Sequence, residues 1–223
     1  MYNRFSIPFN AFKKWIGAAF FLIITNAVIA QSAIRSFKKE AGGVNFILEK
    51  GILKIRVCSD DIIQVKYTVL DALPTENSLV VNNPFSQKIN FSVRKDAGNI
   101  IIETAKLQVK VNNATGSIGY FTKGGQPITA EREADSKSMH QQTVAGISTY
   151  SCSTAFISAD DEALFGLGCH PIDTGAMNYH GRHQDLTIKY LNGAIPVLLS
   201  TIGFGLLWDN YFCPHFYGSE QGN

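Results

Sequence analysis

The chain has 223 residues, enough to bury a hydrophobic core without disulfides, and its 20 Lys and Arg nearly balance its 18 Asp and Glu. Because Arg4, Lys13 and Lys14 lie in an N-terminal segment that we expect to be removed, 17 cationic residues remain against 18 acidic ones. A near-neutral net charge gives no support for the clustered positive charge that nucleic-acid binding requires, so we expect no nucleic-acid partner.

The first thirty residues have the pattern of a secretory signal. Three cations precede an apolar run over residues 15–24, and Ala30 before Gln31 provides the small residue at which signal peptidase cuts. A bilayer-spanning helix needs about 20 apolar residues, and this run is shorter. We therefore expect residues 1–30 to be cleaved and the mature chain to be exported, periplasmic or extracellular, without membrane contact. An uncleaved membrane anchor is the alternative.

Short apolar stretches separated by turn signals follow one another from Val44 onward. Residues 107–111 alternate strictly between apolar and polar, as a half-buried strand does, and Lys50-Gly51 has the composition of a hairpin turn. No segment after residue 40 keeps the helical spacing of apolar residues over three turns. The pattern predicts an all-β fold, an antiparallel sandwich or barrel, with strands at 44–49, 52–58, 62–70, 89–94, 99–103, 107–111 and 117–122.

Three polar or cysteine-containing features carry weaker signals. Residues 131–142 are polar and predict a loop or a short helix, and the run Asp160-Asp161-Glu162 predicts a solvated turn. The four cysteines show no Cys-x-x-Cys spacing, so we expect buried thiols. Cys169-His170 lacks further ligands at a suitable spacing, and we expect neither a metal site nor a cofactor.

Four segments between residues 163 and 211 together resemble glycoside hydrolase family 31. Residues 164–170 (LFGLGCH) are similar to a Tyr/Phe-Gly-Leu-Gly segment of that family, and residues 178–182 (NYHGR) to its Asn-x-x-Gly element. Residues 194–200 (AIPVLLS) resemble its Ile-Pro-Phe-x-x-Ser strand, and residues 203–210 (GFGLLWDN) its Gly-Tyr-Gly-x-Leu-Trp-Asp-Asn. Each segment is weak alone, but four in the family's order are specific. Residues 44–150 match only as a run of strands.

The resemblance implies an enzyme of known architecture. Family 31 comprises retaining α-glycosidases, mostly α-glucosidases and α-xylosidases, whose N-terminal galactose-mutarotase-like β-sandwich precedes a (β/α)8 barrel that carries both catalytic carboxylates. We therefore expect residues 31–223 to be this sandwich, truncated before the barrel and without catalytic residues of its own. The implied partners are an α-linked oligosaccharide or polysaccharide fragment and the barrel of the same chain.

The segment from Asn178 to Asp185 is the candidate substrate site. Sugar hydroxyls both donate and accept hydrogen bonds, so a sugar site needs planar polar groups, which this segment supplies at high density. In the family, a sandwich loop at this position reaches over the barrel mouth. By position, Arg182, Gln184 and Asp185 are the best matches, with Asn178 and His180 behind them. The alternative is a loop whose polar side chains brace the sandwich.

The leading functional hypothesis is the N-terminal domain of an exported α-glycosidase that hydrolyses O-glycosyl bonds. The alternatives are a non-catalytic carbohydrate-binding or scaffold module and an exported structural sandwich without a ligand. Within the last matching segment, Leu206-Leu207-Trp208 lies among mixed apolar residues. This composition predicts a strand that is covered on both faces, with Trp208 in the core.

Overall fold

The computed structural model describes residues 33–75, 78–83, 85–134, 136–170, 178–188, 193–210 and 214–218. The expected signal at residues 1–30 lies outside these ranges. Every regular element within them is a β-strand, so the structure shows no helix that could cross a membrane there. The strands are β1 Ile34–Glu40, β2 Gly43–Leu48, β3 Ile52–Val57, β4 Ile63–Thr68, β5 Ser92–Asp96, β6 Asn99–Glu103, β7 Leu107–Asn112, β8 Ile118–Thr122, β9 Pro127–Glu131, β10 Lys137–Val144, β11 Ile147–Thr154, β12 Phe156–Ile157, β13 Leu164–Cys169, β14 His183–Asp185, β15 Gly193–Ser200, β16 Gly205–Leu207 and β17 His215–Tyr217.

Two antiparallel sheets form the main body. One has the order β1-β2-β3-β4 and the other the order β12-β9-β8-β7-β6-β5. Alternate residues of both sheets point into one shared core, because successive side chains of a strand lie on opposite faces. The largest fully buried side chains include Phe46, Leu53 and Ile55 of the first sheet and Ile100, Ile102 and Ile118 of the second. The predicted all-β antiparallel sandwich is confirmed.

The hairpin between β2 and β3 turns at the predicted glycine. Gly51 has a φ of +91°, a conformation that side chains rarely adopt. A Cβ at this position would also lie 1.9 Å from the carbonyl oxygen of Thr68. Both the backbone conformation and the lack of space therefore require glycine here. All seven predicted strands are found, with ends displaced by up to three residues.

The prediction of a loop or short helix at 131–142 is wrong. The segment contains the end of β9 and most of β10, which pairs with β11 over eight positions as a two-stranded ribbon. Its strands are polar because most of their side chains are exposed. At the ribbon's base, the buried side chains of Glu131 and Lys137 form an ion pair. Glu131 also accepts a hydrogen bond from the backbone N–H of Ile118 at 2.9 Å, and Lys137 donates one to the carbonyl oxygen of Gly116 at 3.0 Å.

The run Asp160-Asp161-Glu162 is solvated only in part. Asp160 and Asp161 are exposed, but Glu162 is only 4% exposed. Its carboxylate accepts hydrogen bonds from the Ala159 N–H at 3.1 Å and from the Ser200 hydroxyl. Glu162 therefore ties the turn to β15, an outcome that a run of three acidic residues does not reveal.

The expectation of buried thiols is correct for one of the described cysteines. Cys58 is buried, and this burial raises the pKa of its thiol. Cys152 in the β10–β11 ribbon and Cys169 at the end of β13 are both free and exposed. Cys213 lies outside the described residues.

Candidate functional site

A bulge in β13 positions the candidate site. Gly166, Leu167 and Gly168 all have positive φ, and the register of β13 against β15 shifts between the two glycines. A Cβ at Gly166 would lie 2.3 Å from the Val197 carbonyl oxygen, and one at Gly168 would lie 1.8 Å from that of Gly193. The Gly-Leu-Gly motif thus permits close backbone contact and buries Leu167.

Leu167 joins a second hydrophobic cluster beneath the site. The cluster also contains the buried side chains of Leu164, Tyr179 and Leu186, and Phe216 packs against it. The rings of Tyr179 and Phe216 meet edge to face, with centroids 6.4 Å apart. Burial raises the pKa of the Tyr179 hydroxyl. The cluster anchors the two short strands that carry the site's polar groups.

These two strands, β14 and β17, form an antiparallel ribbon with one face inward and one outward. His183 pairs with Tyr217, Gln184 with Phe216 and Asp185 with His215. Gln184 and Phe216 are half-buried, whereas the other four side chains are exposed. Period-two alternation therefore displays His183, Asp185, His215 and Tyr217 on one surface, which we call the ribbon face.

On the ribbon face, two imidazoles converge on one carboxylate. His215 Nδ1 lies 2.6 Å from Asp185 Oδ1, and His183 Nε2 lies 2.8 Å from the same oxygen. The hydrogen bond from His215, followed by the charges of both imidazoles, lowers the pKa of the Asp185 carboxyl. The His183 ring stacks on the Tyr217 ring, with centroids 4.6 Å apart and planes 5° from parallel. This stack fixes the orientation of the His183 imidazole.

Three of the five predicted site residues lie beneath this surface. The side-chain oxygen of Asn178 accepts hydrogen bonds from the backbone N–H groups of Leu164 at 2.9 Å and His180 at 3.0 Å, which braces the turn against β13. Gln184 Nε2 donates to the carbonyl oxygen of Asp185 at 3.0 Å. Nδ1 of the half-buried His180 has no hydrogen-bond partner among the described residues.

The other two predicted residues, Arg182 and Asp185, are exposed. The Arg182 backbone contacts the residue that follows β17, because its carbonyl oxygen accepts a hydrogen bond from the Gly218 N–H at 2.7 Å. A Cβ at Gly218 would lie 2.1 Å from the carbonyl oxygen of Tyr179, so this close backbone contact requires glycine. The structure thus brings Arg182 and Asp185 to the surface, whereas Asn178, His180 and Gln184 are half-buried and the side chains of Asn178 and Gln184 bond to the backbone.

Sequence reasoning missed His183, His215 and Tyr217. The spacings His183-x-Asp185 and His215-x-Tyr217 place each pair on one side of a strand. That spacing is the signal that could have found them. The pairing of two strands thirty residues apart carries no sequence signal of its own.

A second exposed feature is apolar and lies on the three-stranded sheet β13-β15-β16. Phe165 pairs with Leu199, and Val197 pairs with Leu207. These positions share one side of the sheet with Ile195, and within the described residues Phe165, Ile195, Leu199 and Leu207 stay exposed. We call this side the apolar sheet face. Trp208 is only half-buried, so the described residues do not cover both faces here as the sequence predicted.

Three comparisons relate this chain to known proteins. Residues 52–216 match the family model of the glycosyl hydrolase 31 N-terminal galactose mutarotase-like domain. An alpha-xylosidase of Saccharolobus solfataricus is 27% identical over 167 residues, which cover 71% of this chain and 22% of that protein. The chain therefore spans about a fifth of the length of this relative.

Solved structures agree with the sequence matches. A family 31 alpha-xylosidase from Xanthomonas citri superposes with a TM-score of 0.68 at 27% identity, covering 78% of this chain and 19% of that one. A family 31 dextranase from Flavobacterium johnsoniae, solved with isomaltotriose, superposes with a TM-score of 0.70 at 17% identity, covering 84% of this chain and 23% of that one. The second likeness concerns the fold alone.

Proposed function

Because the chain belongs to glycosyl hydrolase family 31, as its N-terminal galactose mutarotase-like domain, we propose that it serves as this domain in an exported retaining α-glycosidase, an α-xylosidase or an α-glucosidase. The observation that carries the proposal is the family match over residues 52–216, which includes β3 and β4 of the first sheet, all of the second sheet, and His183, Asp185 and His215 of the ribbon face. The parent family is a family of glycosidases, and alpha-xylosidases are among the relatives of this chain.

The apolar sheet face supports a role as one part of a larger protein. Exposed apolar patches mark surfaces that pack against another domain or protein. Leu199, at the centre of this face, is 52% exposed although it lies in a strand paired on both sides. We propose that a (β/α)8 barrel of the same protein covers this face and supplies both catalytic carboxylates. The domain itself, residues 31–223, then contributes no catalytic residue.

The ribbon face and its neighbours support a contact with substrate. Arg182 offers guanidinium donors and Asp185 carboxylate acceptors at the surface, a combination that suits sugar hydroxyls. Asn178 and Gln184 hold the backbone beneath them. His180 adds a buried ring nitrogen that has no hydrogen-bond partner among the described residues. We propose that these five residues shape the site for an α-linked oligosaccharide or polysaccharide fragment.

One observation favours a second candidate, a stand-alone carbohydrate-binding module. The exposed stack of His183 on Tyr217 presents an aromatic surface beside a carboxylate, and aromatic faces pack on the apolar side of sugar rings. Such a module would bind oligosaccharide without a barrel. Titration of the 223-residue chain with isomaltotriose, followed by amide chemical shifts, distinguishes the two: saturable binding at the ribbon face would favour the module.

The primary proposal is tested on the complete gene product. We expect hydrolysis of an aryl α-xyloside or α-glucoside with net retention, read as the anomer first formed in proton NMR. Arg182→Ala and Asp185→Ala should raise KM, whereas Arg94→Ala, an exposed arginine on β5, serves as the control. An open reading frame that stops at Asn223, or turnover by the 223-residue chain itself, would refute the proposal.

Export is tested separately. We propose that residues 1–30 are a cleaved signal and that the mature protein is periplasmic or extracellular. Intact-mass analysis of the secreted or periplasmic protein should give a chain that begins at Gln31. A protein that keeps residues 1–30 would contradict this assignment and would leave the glycosidase proposal untouched.

A further inference from the structure

We propose that His183, Asp185 and His215 form a Zn²⁺ site on the ribbon face. The proposal shares Asp185 with the substrate site proposed above, but it does not rest on that function, because its test measures metal binding without sugar. It also departs from the sequence, which predicted no metal: the three ligands lie on two strands that no short motif connects.

The ligand atoms already lie together. One atom from each of the three residues lies within 4.8 Å of the other two, and both imidazole nitrogens point at the same carboxylate. Tetrahedral Zn²⁺ with bonds of about 2.0–2.2 Å holds its ligand atoms roughly 3.3 Å apart. The contacts of 2.6 and 2.8 Å therefore need to open by about 0.5–0.7 Å, and the two imidazole nitrogens, which lie within 4.8 Å of each other, need to close by at most about 1.5 Å. Exposed side chains can make this change by small rotations.

The strand register explains why these side chains converge. The Leu186 N–H donates to the carbonyl oxygen of Pro214, and the Gly218 N–H donates to that of Arg182. In this pair of strands, the backbone hydrogen bonds therefore join even-numbered residues. Asp185 and His215 therefore form a non-hydrogen-bonded pair, the type in which opposite side chains approach most closely. His183 follows on the same face two residues from Asp185.

The scaffold beneath the ligands is fixed. Leu186 is buried in the second hydrophobic cluster next to Asp185, and Phe216 packs on that cluster next to His215. The Tyr217 ring holds the plane of His183. Ligands whose orientation is set before binding lose less freedom when the metal arrives. The pair of strands β14 and β17 therefore presents a largely formed site rather than three independent surface residues.

The ligand set selects the class of metal. Two imidazoles and one carboxylate suit Zn²⁺ and neighbouring transition ions, whereas Ca²⁺ and Mg²⁺ prefer sites made of oxygen ligands. Three protein ligands leave a fourth tetrahedral position for water or another oxygen ligand, as in open zinc sites. The ion would also join β14 to β17, whose pairing involves only three residues in each strand.

The test measures Zn²⁺ binding by the tag-free 223-residue chain, purified in the presence of a chelator and then dialysed. Equilibrium dialysis with metal analysis should give one Zn²⁺ per chain, and Mg²⁺ should not compete. His183→Ala and His215→Ala should each weaken binding by about tenfold or more, because losing a direct ligand costs at least as much as losing an outer-shell group. Asp185→Asn, which keeps the shape of the side chain, should also weaken it.

His140→Ala is the matched control, since His140 is an exposed histidine on β10, which belongs to a different sheet from β14 and β17. It should bind Zn²⁺ as the unsubstituted chain does. Imidazole NMR gives a second readout: Zn²⁺ should shift the ring signals of His183 and His215 and leave that of His140 in place. Absence of saturable binding, unchanged affinity in both histidine variants, or an equal loss in His140→Ala would overturn the proposal.

Discussion

Replacing Lys137 by methionine should destabilise the sandwich because it leaves a buried carboxylate without its counter-charge. The side chains of Lys137 and Glu131 are only 6% and 4% exposed. After the substitution, Glu131 would keep the hydrogen bond from the Ile118 N–H and lose the ammonium group. Removing one partner of a buried ion pair costs about 3–5 kcal/mol, a large share of the about 5–15 kcal/mol that stabilises a typical domain.

The pH dependence of this loss has a definite sign. Burial raises the pKa of Glu131 and lowers that of Lys137, while each partner opposes the shift of the other. In Lys137→Met the opposing charge is gone, so the folded-state pKa of Glu131 rises further above its unfolded value. A raised carboxyl pKa means that the protonated form favours folding. The variant should therefore recover stability as the pH falls through that pKa and lose it again as the pH rises.

Urea unfolding followed by far-UV circular dichroism measures the effect. With a slope of about 2 kcal/mol per molar urea, the midpoint should fall by about 2 M at neutral pH and by less under mildly acidic conditions. The control is Lys106→Met, because Lys106 and its partner Asp61 are 63% and 51% exposed. An exposed pair contributes about 0–1 kcal/mol. Equal losses in the two variants, or a loss in Lys137→Met that does not change with pH, would refute this reasoning.

Three further substitutions or modifications test the packing. Trp208→Ala should lower stability by roughly half of the about 3–5 kcal/mol typical of a core tryptophan, because Trp208 is half-buried; a full loss in thermal unfolding would contradict this. Gly168→Ala should destabilise more than Gly146→Ala in the same measurement, because both have positive φ but only Gly168 faces a carbonyl oxygen at 1.8 Å. A thiol reagent with peptide mapping should label exposed Cys152 before buried Cys58, and labelling of Cys152 should quicken as the pH rises towards its raised pKa; equal rates would contradict the assigned burial.

The strands of the sandwich could be predicted because their burial leaves a trace in the sequence. Residues 52–57 alternate between half-buried and buried positions. The buried positions are all apolar, namely Leu53, Ile55 and Val57, and this period of two is visible in the sequence. The β10–β11 ribbon has no such trace, since neither of its faces is covered along most of its length. Polar residues in an exposed strand are indistinguishable from those of a loop.

The sequence predicted which segment holds the candidate site, but it did not predict which side chains come together there. The sequence identified residues 178–185, and the structure shows that Asp185 there meets two histidines. One of them, His215, lies thirty residues away, and only strand pairing brings it to Asp185. Asn178 has the composition of a binding residue, but its side-chain oxygen is engaged by two backbone N–H groups. Composition identifies polar groups and cannot tell which of them the fold itself uses.

The β10–β11 ribbon should open from its tip, because its anchoring is uneven along its length. The buried pair of Glu131 and Lys137 holds its base, whereas Val144 and Ile147 at its tip are exposed. A two-stranded ribbon is marginally stable unless something packs against it. Amide hydrogen exchange should thus be graded, slowest next to Lys137 and fastest at the Ala145-Gly146 turn. This turn is also the place where an inserted peptide would disturb the sandwich least, since the two hydrophobic clusters contain no residue of the ribbon.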